Sequence, residues 1–321
     1  MGPGVVITGG LGFIGSHATD IFIDAGYDVY IVDKCTYAAN IWKTKKKVRE
    51  VVYDDISECN WTSLLLKLRP QLIVNFAAES SVDASIHNAA TFIKSNVTGV
   101  YNIITGIRQY QQLSGEHVFF EHVSTDEVYG DTNFNSVSEF VEVDNYCPNN
   151  PYSATKAAAE QLIRACYHTH GDFSYNIVRG CNNYGPGQHC EKFIPATIRN
   201  AIMGEPIIIH GKGNNIREWV CVKDFARTFK FLYELNDPCL VGEIFNSGSG
   251  VRISNLDMAR NIIRLTKSNS RIIHVEDRPG NDRRYAINST KIREIGFKLL
   301  YNSVDEILEE SIEEMRVRYG L

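Results

Sequence analysis

No apolar run among these 321 residues is long enough to span a bilayer, so no membrane helix is expected. None of the eight cysteines forms a C-x-x-C pair or falls at a metal-ligand spacing. That excludes a disulfide framework and a zinc site on spacing, and it points to reduced thiols in a cytoplasmic protein. Positive charge is not in surplus: the net charge is -5, so no basic field is expected to hold nucleic acid. There is no internal repeat and no low-complexity segment. The chain enters a strand without a basic and apolar leader, which agrees with the cytoplasmic expectation. What is present is 44% hydrophobic residues, enough for a large core in one domain with an appendage or in two domains.

Strand and helix patterns alternate from the start. Gly4 to Thr8 is a β-branched strand, and Ser16 to Ala25 reads as a helix. Between them Gly9, Gly12 and Gly15 give G-x-x-G-x-x-G. Glycines in a strand-turn-helix context permit a tight turn and close approach of a diphosphate to a helix N-terminus. The next strand, Asp28 to Val32, ends in Asp33, where a carboxylate would hold adenosine ribose hydroxyls. Asp33 favours NAD, because a 2'-phosphate would be repelled. Lys34 beside it, with Lys43, Lys45, Lys46 and Lys47, leaves NADP open, although a solvated loop is the preferred reading of those lysines. Val48 to Tyr53 and Gln71 to Phe76 read as further strands, Trp61 to Leu68 and Ala89 to Gln112 as helices. Small residues Ala77 and Ala78 follow a strand end and would let backbone lie against a cofactor. The alternation implies an α/β fold with a doubly wound parallel sheet of Rossmann type.

The strand from His117 to Val123 runs into Ser124-Thr125-Asp126-Glu127-Val128-Tyr129-Gly130. A hydroxyl and two adjacent carboxylates then stand at the carboxyl edge of the sheet, facing the ligand crevice. Two carboxylates there suit paired acid and base roles; alone, they fit a capping turn equally well. Downstream, Asn149, Asn150 and Pro151 signal a helix start. Tyr152 and Lys156 are i and i+4 on one face of that helix. A nearby ammonium would stabilise a phenolate and make Tyr152 a base. Phe173 to Val178 is a further strand. From Asn182 to Pro195 the chain reads as irregular, and a boundary near residue 180 separates a cofactor-binding domain from a smaller α/β, mainly substrate-binding portion, 181–321, some of whose segments return to the sheet. Asp277 to Tyr285 concentrates arginines that suit a diphosphate or, equally, surface ion pairs.

These stretches together resemble the extended short-chain dehydrogenase/reductases, and within them the nucleotide-diphosphate-glucose 4,6-dehydratases. The resemblance runs over nearly the whole length, through Gly9 to Gly15, Asp33 to Ala38, Ala77-Ala78-Glu79-Ser80, Thr125-Asp126-Glu127, Tyr152-x-x-x-Lys156, Asn182 to Pro186, Glu191-Lys192 and Arg278 to Tyr285. The glycine loop and the Tyr-Lys pair mark the superfamily; the Thr-Asp-Glu triplet is the specific part, because related 4-epimerases usually lack the Asp-Glu pair.

The resemblance implies that Tyr152 takes the sugar 4-hydroxyl proton, with Lys156 lowering its pKa and holding the nicotinamide ribose. Thr125 would bond O4, Glu127 would remove the C5 proton and Asp126 would protonate the leaving 6-hydroxyl. Hydride taken from C4 returns to C6, so a tightly bound, recycled NAD is implied. Cofactor positions fall on Gly9, Gly12, Phe13, Ile14, Gly15, Asp33, Lys34, Cys35, Thr36, Asp55, Ile56, Ala77, Ala78, Ser95 and Asn183, besides Tyr152 and Lys156. Substrate positions fall on Ser80, Thr125, Asn182, Lys192, Phe193, His210, Arg217, Asn246, Arg278 and Asn281; no metal is implied.

Ser81, Ile208, His210 and Asn281 depart from the thymidine-type pattern. Arg179-Gly180, Ile209-His210-Gly211 and Arg278 to Asp282 look more like the UDP-glucose enzymes, so UDP-glucose is expected ahead of dTDP-glucose. A homodimer through Ala89 to Gln112 and Pro151 to His168 is implied as well. A 4-epimerase would use the Tyr-Lys pair without needing the acid pair. A non-catalytic nucleotide-binding regulator would need neither.

Overall fold

The computed structural model describes residues 2–40, 48–131, 138–277 and 284–320. Six strands of the central sheet come first: β1 (Gly4–Thr8), β2 (Asp28–Val32), β3 (Glu50–Val52), β4 (Leu72–Asn75), β5 (Phe119–Thr125) and β6 (Ser174–Gly180). Three strands then lie outside it, β7 (Asn182–Tyr184), β8 (Ile207–His210) and β9 (Ile216–Cys221). The chain returns to the central sheet with β10 (Ile244–Ser247) and leaves again for β11 (Arg252–Ser254) and β12 (Ile272–Val275). The central order is β10-β6-β5-β4-β1-β2-β3, parallel at every pairing, so the expected doubly wound α/β sheet is present.

Val5, Val6, Ile7, Leu72, Ile73 and Val74 are all fully buried, since a parallel sheet is covered on both faces and its strands need no polar side. On one face, α1 (Phe13–Asp24) brings Phe22 against Val5, Ile7 and Val74. The opposite face carries α2 (Trp61–Leu68), whose Asn60 cap accepts from the Ser63 N–H. The short helices α3 (Val82–His87) and α4 (Ala89–Phe92) follow, and α4 runs through a π turn, Ile93–Thr98, into α5 (Gly99–Ser114). The single helix expected from Ala89 to Gln112 is therefore widened at Ser95, as π turns often are beside a functional cleft.

Helix α6 (Pro151–His170) packs beside α5 and begins on a reciprocal cap between Asn150 and Ser153. The stretch expected to be irregular holds β7 and α7 (Phe193–Met203). Pro195 does not prevent that helix: it sits in the first turn, where backbone N–H groups have no intrahelical partner to lose. Helix α8 (Val222–Leu235) returns to the α1 face with Phe225 and Phe229. Beyond it, α9 (Asn255–Thr266), α10 (Thr290–Glu294) and α11 (Val304–Tyr319) complete the chain. The two small sheets, β11-β9-β7 and β12-β8, share a separate core with α7, α9 and α11, built on Trp219, Ile198, Met258, Ile262 and Leu308. Among the described residues no helix is long and apolar enough to cross a membrane.

One core residue breaks the pattern. Glu121 of β5 is fully buried, and neither carboxylate oxygen has a hydrogen-bond partner among the described residues. Burial pushes its pKa well above the usual carboxyl range and so favours the protonated form in the folded protein. A raised folded-state pKa favours the fold most below the unfolded value, and that benefit is lost as pH rises toward the folded one. Glu121→Met is therefore expected to stabilise the protein by about 1–3 kcal/mol at pH 8, with the gain shrinking toward pH ~4. Urea denaturation at several pH values checks this; equal midpoints for the two proteins at pH 8 would refute it.

Candidate active site

Two adjoining cavities open at the carboxyl edge of the central sheet. The first lies over the β1–α1 turn. Gly9 has φ +64°, and a Cβ there would lie 2.7 Å from the Ala77 N. At Gly15 a Cβ would lie 2.2 Å from the Gly9 carbonyl oxygen. Only glycine allows β1, α1 and the end of β4 to approach this closely. Gly12 supplies no side-chain cap to α1. This cradle fits a diphosphate at a helix N-terminus.

Asp33, at the end of β2, accepts from the Leu11 N–H at 3.0 Å and from the Cys35 N–H at 2.7 Å. Burial raises its pKa, and those two donors oppose the rise. Lys34 is held by Glu79 at 2.9 Å and by the Ser95 hydroxyl at 3.0 Å. Every sequence-derived cofactor residue lines this cavity except Cys35 and Asn183. Cys35 has φ +55° and reaches Asp33 through its backbone alone. Asn183 lies in the neighbouring cavity, its amide donating to the Cys181 carbonyl.

The second cavity holds Thr125, Asp126, Glu127, Asn182, Asn183, Lys192, Phe193 and Arg217. Tyr152, Ser80, Ser124 and Gln188 line both cavities, so Tyr152 stands where the two meet. The acid pair is held by a 3-10 turn, Asp126–Tyr129, that follows β5 directly. Thr125 caps it, accepting from the Glu127 N–H and donating to Asp126 Oδ1, each at 3.3 Å.

The two acids have different surroundings. Asp126 is buried, and its Oδ2 has no hydrogen-bond partner among the described residues. Burial first, then the negative charges of Glu127 and Glu218, raise its pKa well above the ordinary range, against the pull of Arg217. These surroundings favour the protonated carboxyl at Asp126. Glu127 is half-buried and accepts from the Asn150 amide at 3.0 Å. Asn150 was legible as a helix cap, but not as a holder of Glu127, because only folding brings the turn and the cap together.

Tyr152 and Lys156 share a face of α6, and both line the first cavity. Its Nζ donates to the Val123 carbonyl at 2.6 Å and lies 3.5 Å from His122 Nε2. Burial lowers its pKa to about 8, opposed by Glu160. The Tyr152 phenol is pushed up by burial and by Glu127 and Asp126, with Thr125 pulling the other way. Tyr152 and Lys156 thus reach the cavity from one helix face, with the ammonium anchored on the β5 backbone.

Two substrate positions lie outside both cavities. Asn246 is fully buried, accepting from the Tyr129 hydroxyl at 2.8 Å and donating to the Phe140 and Asn288 carbonyls. It props the catalytic turn from behind, because β10 pairs with β6 under that turn. His210, at the end of β8, has its Nδ1 3.2 Å from the Glu276 carbonyl. Arg278, Asn281 and Lys43 to Lys47 lie outside the described residues. Arg217 lies over the Tyr285 ring, 4.8 Å from its centroid.

A family model described as GDP-mannose 4,6 dehydratase matches residues 6–311. The chain belongs to that family. It is a nucleotide-sugar 4,6-dehydratase, a hydro-lyase of the extended short-chain dehydrogenase/reductase superfamily, as the sequence resemblance implied. Among its relatives, the dTDP-glucose 4,6-dehydratase of Salmonella typhimurium is 38% identical, over 92% of this chain and 88% of the relative. The dehydratase DesIV of Streptomyces venezuelae, solved with NAD bound, superposes with a TM-score of 0.89 at 33% identity, over 99% of this chain and 98% of its own. A UDP-glucose 4-epimerase of Thermotoga maritima reaches the same TM-score at 24% identity, over 98% of this chain and 99% of its own. That last likeness is one of fold alone.

Proposed function

We propose that this dehydratase acts on a nucleoside diphosphate glucose, UDP-glucose ahead of dTDP-glucose, and yields the 4-keto-6-deoxy sugar nucleotide with NAD held in the first cavity. The observation that carries the reading is the position of Tyr152, on the wall of the glycine cradle and in one cavity with the buried Asp126 and a Glu127 steadied by Asn150. In this reading Thr125 positions the 4-hydroxyl and Tyr152 takes its proton. Oxidation at C4 acidifies the C5 proton, which Glu127 removes. Asp126 gives its proton to the 6-hydroxyl, which leaves as water. The glycine cradle, Asp33 and Lys156 would hold the dinucleotide, which when bound supplies the hydride acceptor for C4, the donor for C6 and a positive charge that favours the ionised phenol.

The Lys34 environment supports NAD over NADP: its charge is already taken by Glu79, and a 2'-phosphate would also face Asp33 and Asp55. The base preference rests on the motifs at Ile209 to Gly211 and Arg278 to Asp282. Arg179, which shares that resemblance, is 1% exposed and cannot reach a base. Uracil and thymine differ by one methyl, worth only ~1–3 kcal/mol of discrimination. A homodimer through α5 and α6 is supported by exposed Ile93 and Tyr101 beside outward alanines 154, 158 and 165.

The test incubates the purified protein, with no added cofactor, with UDP-glucose and dTDP-glucose in parallel and weighs the products. Loss of one water is expected, faster from UDP-glucose. Faster loss from dTDP-glucose would reverse the base assignment. Unchanged mass even after NAD or NADP is added, with epimerised sugar, would transfer the protein to the 4-epimerase reading. Light scattering on the same sample is expected to give twice the chain mass; a monomer would refute the dimer.

A further inference from the structure

Beneath the active site, three buried polar side chains lie side by side across three strands. The sheet register pairs Thr8 of β1 with Asn75 of β4, and Asn75 with His122 of β5. Thr8 and His122 are fully buried, and Asn75 is 1% exposed. None of the three lines either cavity. Polar groups buried this deeply need partners, and here the partners form one chain. The Ala77 N–H donates to Thr8 Oγ1 at 3.2 Å, and the Thr8 hydroxyl donates to Asn75 Oδ1 at 2.5 Å. Asn75 Nδ2 lies 3.0 Å from His122 Nδ1, and His122 Nε2 lies 3.5 Å from Lys156 Nζ.

The direction of this chain is not free. Thr8 Oγ1 accepts from the Ala77 N–H, and it faces Asn75 Oδ1, an atom that can only accept, so the Thr8 proton points to Asn75. Asn75 therefore turns its carbonyl toward Thr8 and its NH₂ toward His122, and an amide NH₂ can only donate. His122 Nδ1 is then an acceptor without a proton. An imidazole whose Nδ1 carries no proton is neutral, and burial disfavours the imidazolium as well. Its single proton is consequently on Nε2, the nitrogen that faces Lys156. An ammonium there meets an N–H where it would need a lone pair, whereas a neutral amine can accept that N–H.

We propose that His122, fixed in its Nε2–H form by the Ala77–Thr8–Asn75 chain, is a positioning residue that disfavours the ammonium of Lys156 and so sets the pH at which the Tyr152–Lys156 pair releases its proton to solvent before C4 oxidation. The functional half of this rests on the reaction proposed above; the tautomer and the Lys156 charge do not. Among the described residues, the other groups around Lys156 leave His122 as the one that can act this way. From its own helix come Tyr152 and Glu160, and Glu160 is already bound by Arg179, Ser124 and Tyr146. The π turn against α6 brings Ser95 and Asn96 to the buried side, neither of which titrates. From α3 only Ser85 is buried, Asp83 and His87 being exposed. From α5, Arg108 is paired with Asp172 beyond the far end of α6. Asp126 and Glu127 act on Tyr152.

The experiment follows the imidazole nitrogens of His122 and the ε-carbon of Lys156 by NMR as pH is varied, alongside the pH profile of dehydration. The wild type is expected to show the Nε2–H form. Thr8→Val removes the link that orients Asn75, so His122 can present a lone pair to Lys156. The Lys156 midpoint and the acidic limb of the rate profile should then both rise by about one pH unit. Thr8→Ser keeps the hydroxyl and should titrate as the wild type does. Asn75→Leu removes the donor to Nδ1 and should raise the midpoint as Thr8→Val does, which serves if the valine variant does not fold. An Nδ1–H imidazole in the wild type would overturn the proposal, as would a Lys156 midpoint unmoved by both variants or moved equally by Thr8→Ser. A protein that shows the expected titrations but dehydrates no sugar nucleotide would overturn the functional half together with the reaction it serves.

Discussion

Glu127→Gln is expected to slow water loss by roughly 100- to 10,000-fold and to leave oxidation at C4 intact. Glutamine keeps the shape and can still accept from the Asn150 amide, which now holds Glu127 at 3.0 Å. What it lacks is the capacity to take the C5 proton. The variant should therefore stall with the sugar oxidised and the nicotinamide reduced, seen as absorbance near 340 nm that rises on adding substrate and persists. Loss of oxidation as well would mean that Glu127 acts at the first step. Dehydration at the wild-type rate would remove it from the chemistry. Asp126 gives a useful contrast: its pKa is raised by burial and by Glu127, so part of its readiness to donate a proton depends on the neighbour's charge. In Glu127→Gln the Asp126 carboxyl should titrate at lower pH than in the wild type.

Arg179→Met is expected to destabilise the protein by about 3–5 kcal/mol, as removing one partner of a buried ion pair does. Arg179 is 1% exposed, and Glu160 of α6 is fully buried. The guanidinium donates to Glu160 from Nε and Nη2 and to the hydroxyls of Tyr129 and Tyr146. It also lies against both tyrosine rings, 4.6 and 4.8 Å from their centroids. Ser124 donates to the same carboxylate at 2.5 Å, so the network ties β5, β6, α6 and the catalytic turn together. Methionine fills the space but leaves the Glu160 charge uncompensated. Adding Glu160→Leu should recover most of the loss, since a buried pair replaced by apolar residues is often neutral. Urea unfolding of the single and double variants separates the outcomes. A double variant no more stable than Arg179→Met alone would place the loss in the tyrosine contacts.

The parts of the site that were legible in the sequence are those set by local spacing. The glycine loop depends on residues within one turn, and the strand ending in Thr125, Asp126 and Glu127 is continuous. The parts that were not legible depend on register between distant strands. Thr8 and Asn75 are 67 residues apart, and Asn75 and His122 are 47 apart. Nothing in either segment marks them as neighbours until β4 slots between β1 and β5. The same cause explains Asn246, whose place at the sheet edge beneath Tyr129 is set by the pairing of β10 with β6. Lys156 was placed on the right helix face, and its partner was missed because spacing along a helix does not say what lies below it. The helix at Phe193–Met203 was concealed by Pro195, a residue that stops helices elsewhere and is harmless in a first turn.

The return of β10 to the sheet has a consequence for how the molecule comes to exist. A ribosome delivers the glycine cradle, the acid pair and the Tyr152 helix within the first 170 residues, yet the outer edge of β6 stays unpaired until residues 244–247 have emerged. Asn246 arrives on that strand and accepts the Tyr129 hydroxyl. A nascent chain that has made all of its catalytic groups therefore still lacks the support under the turn that carries two of them. The order of synthesis keeps the catalytic turn incomplete until the C-terminal elements that wall the sugar cavity are almost entirely present.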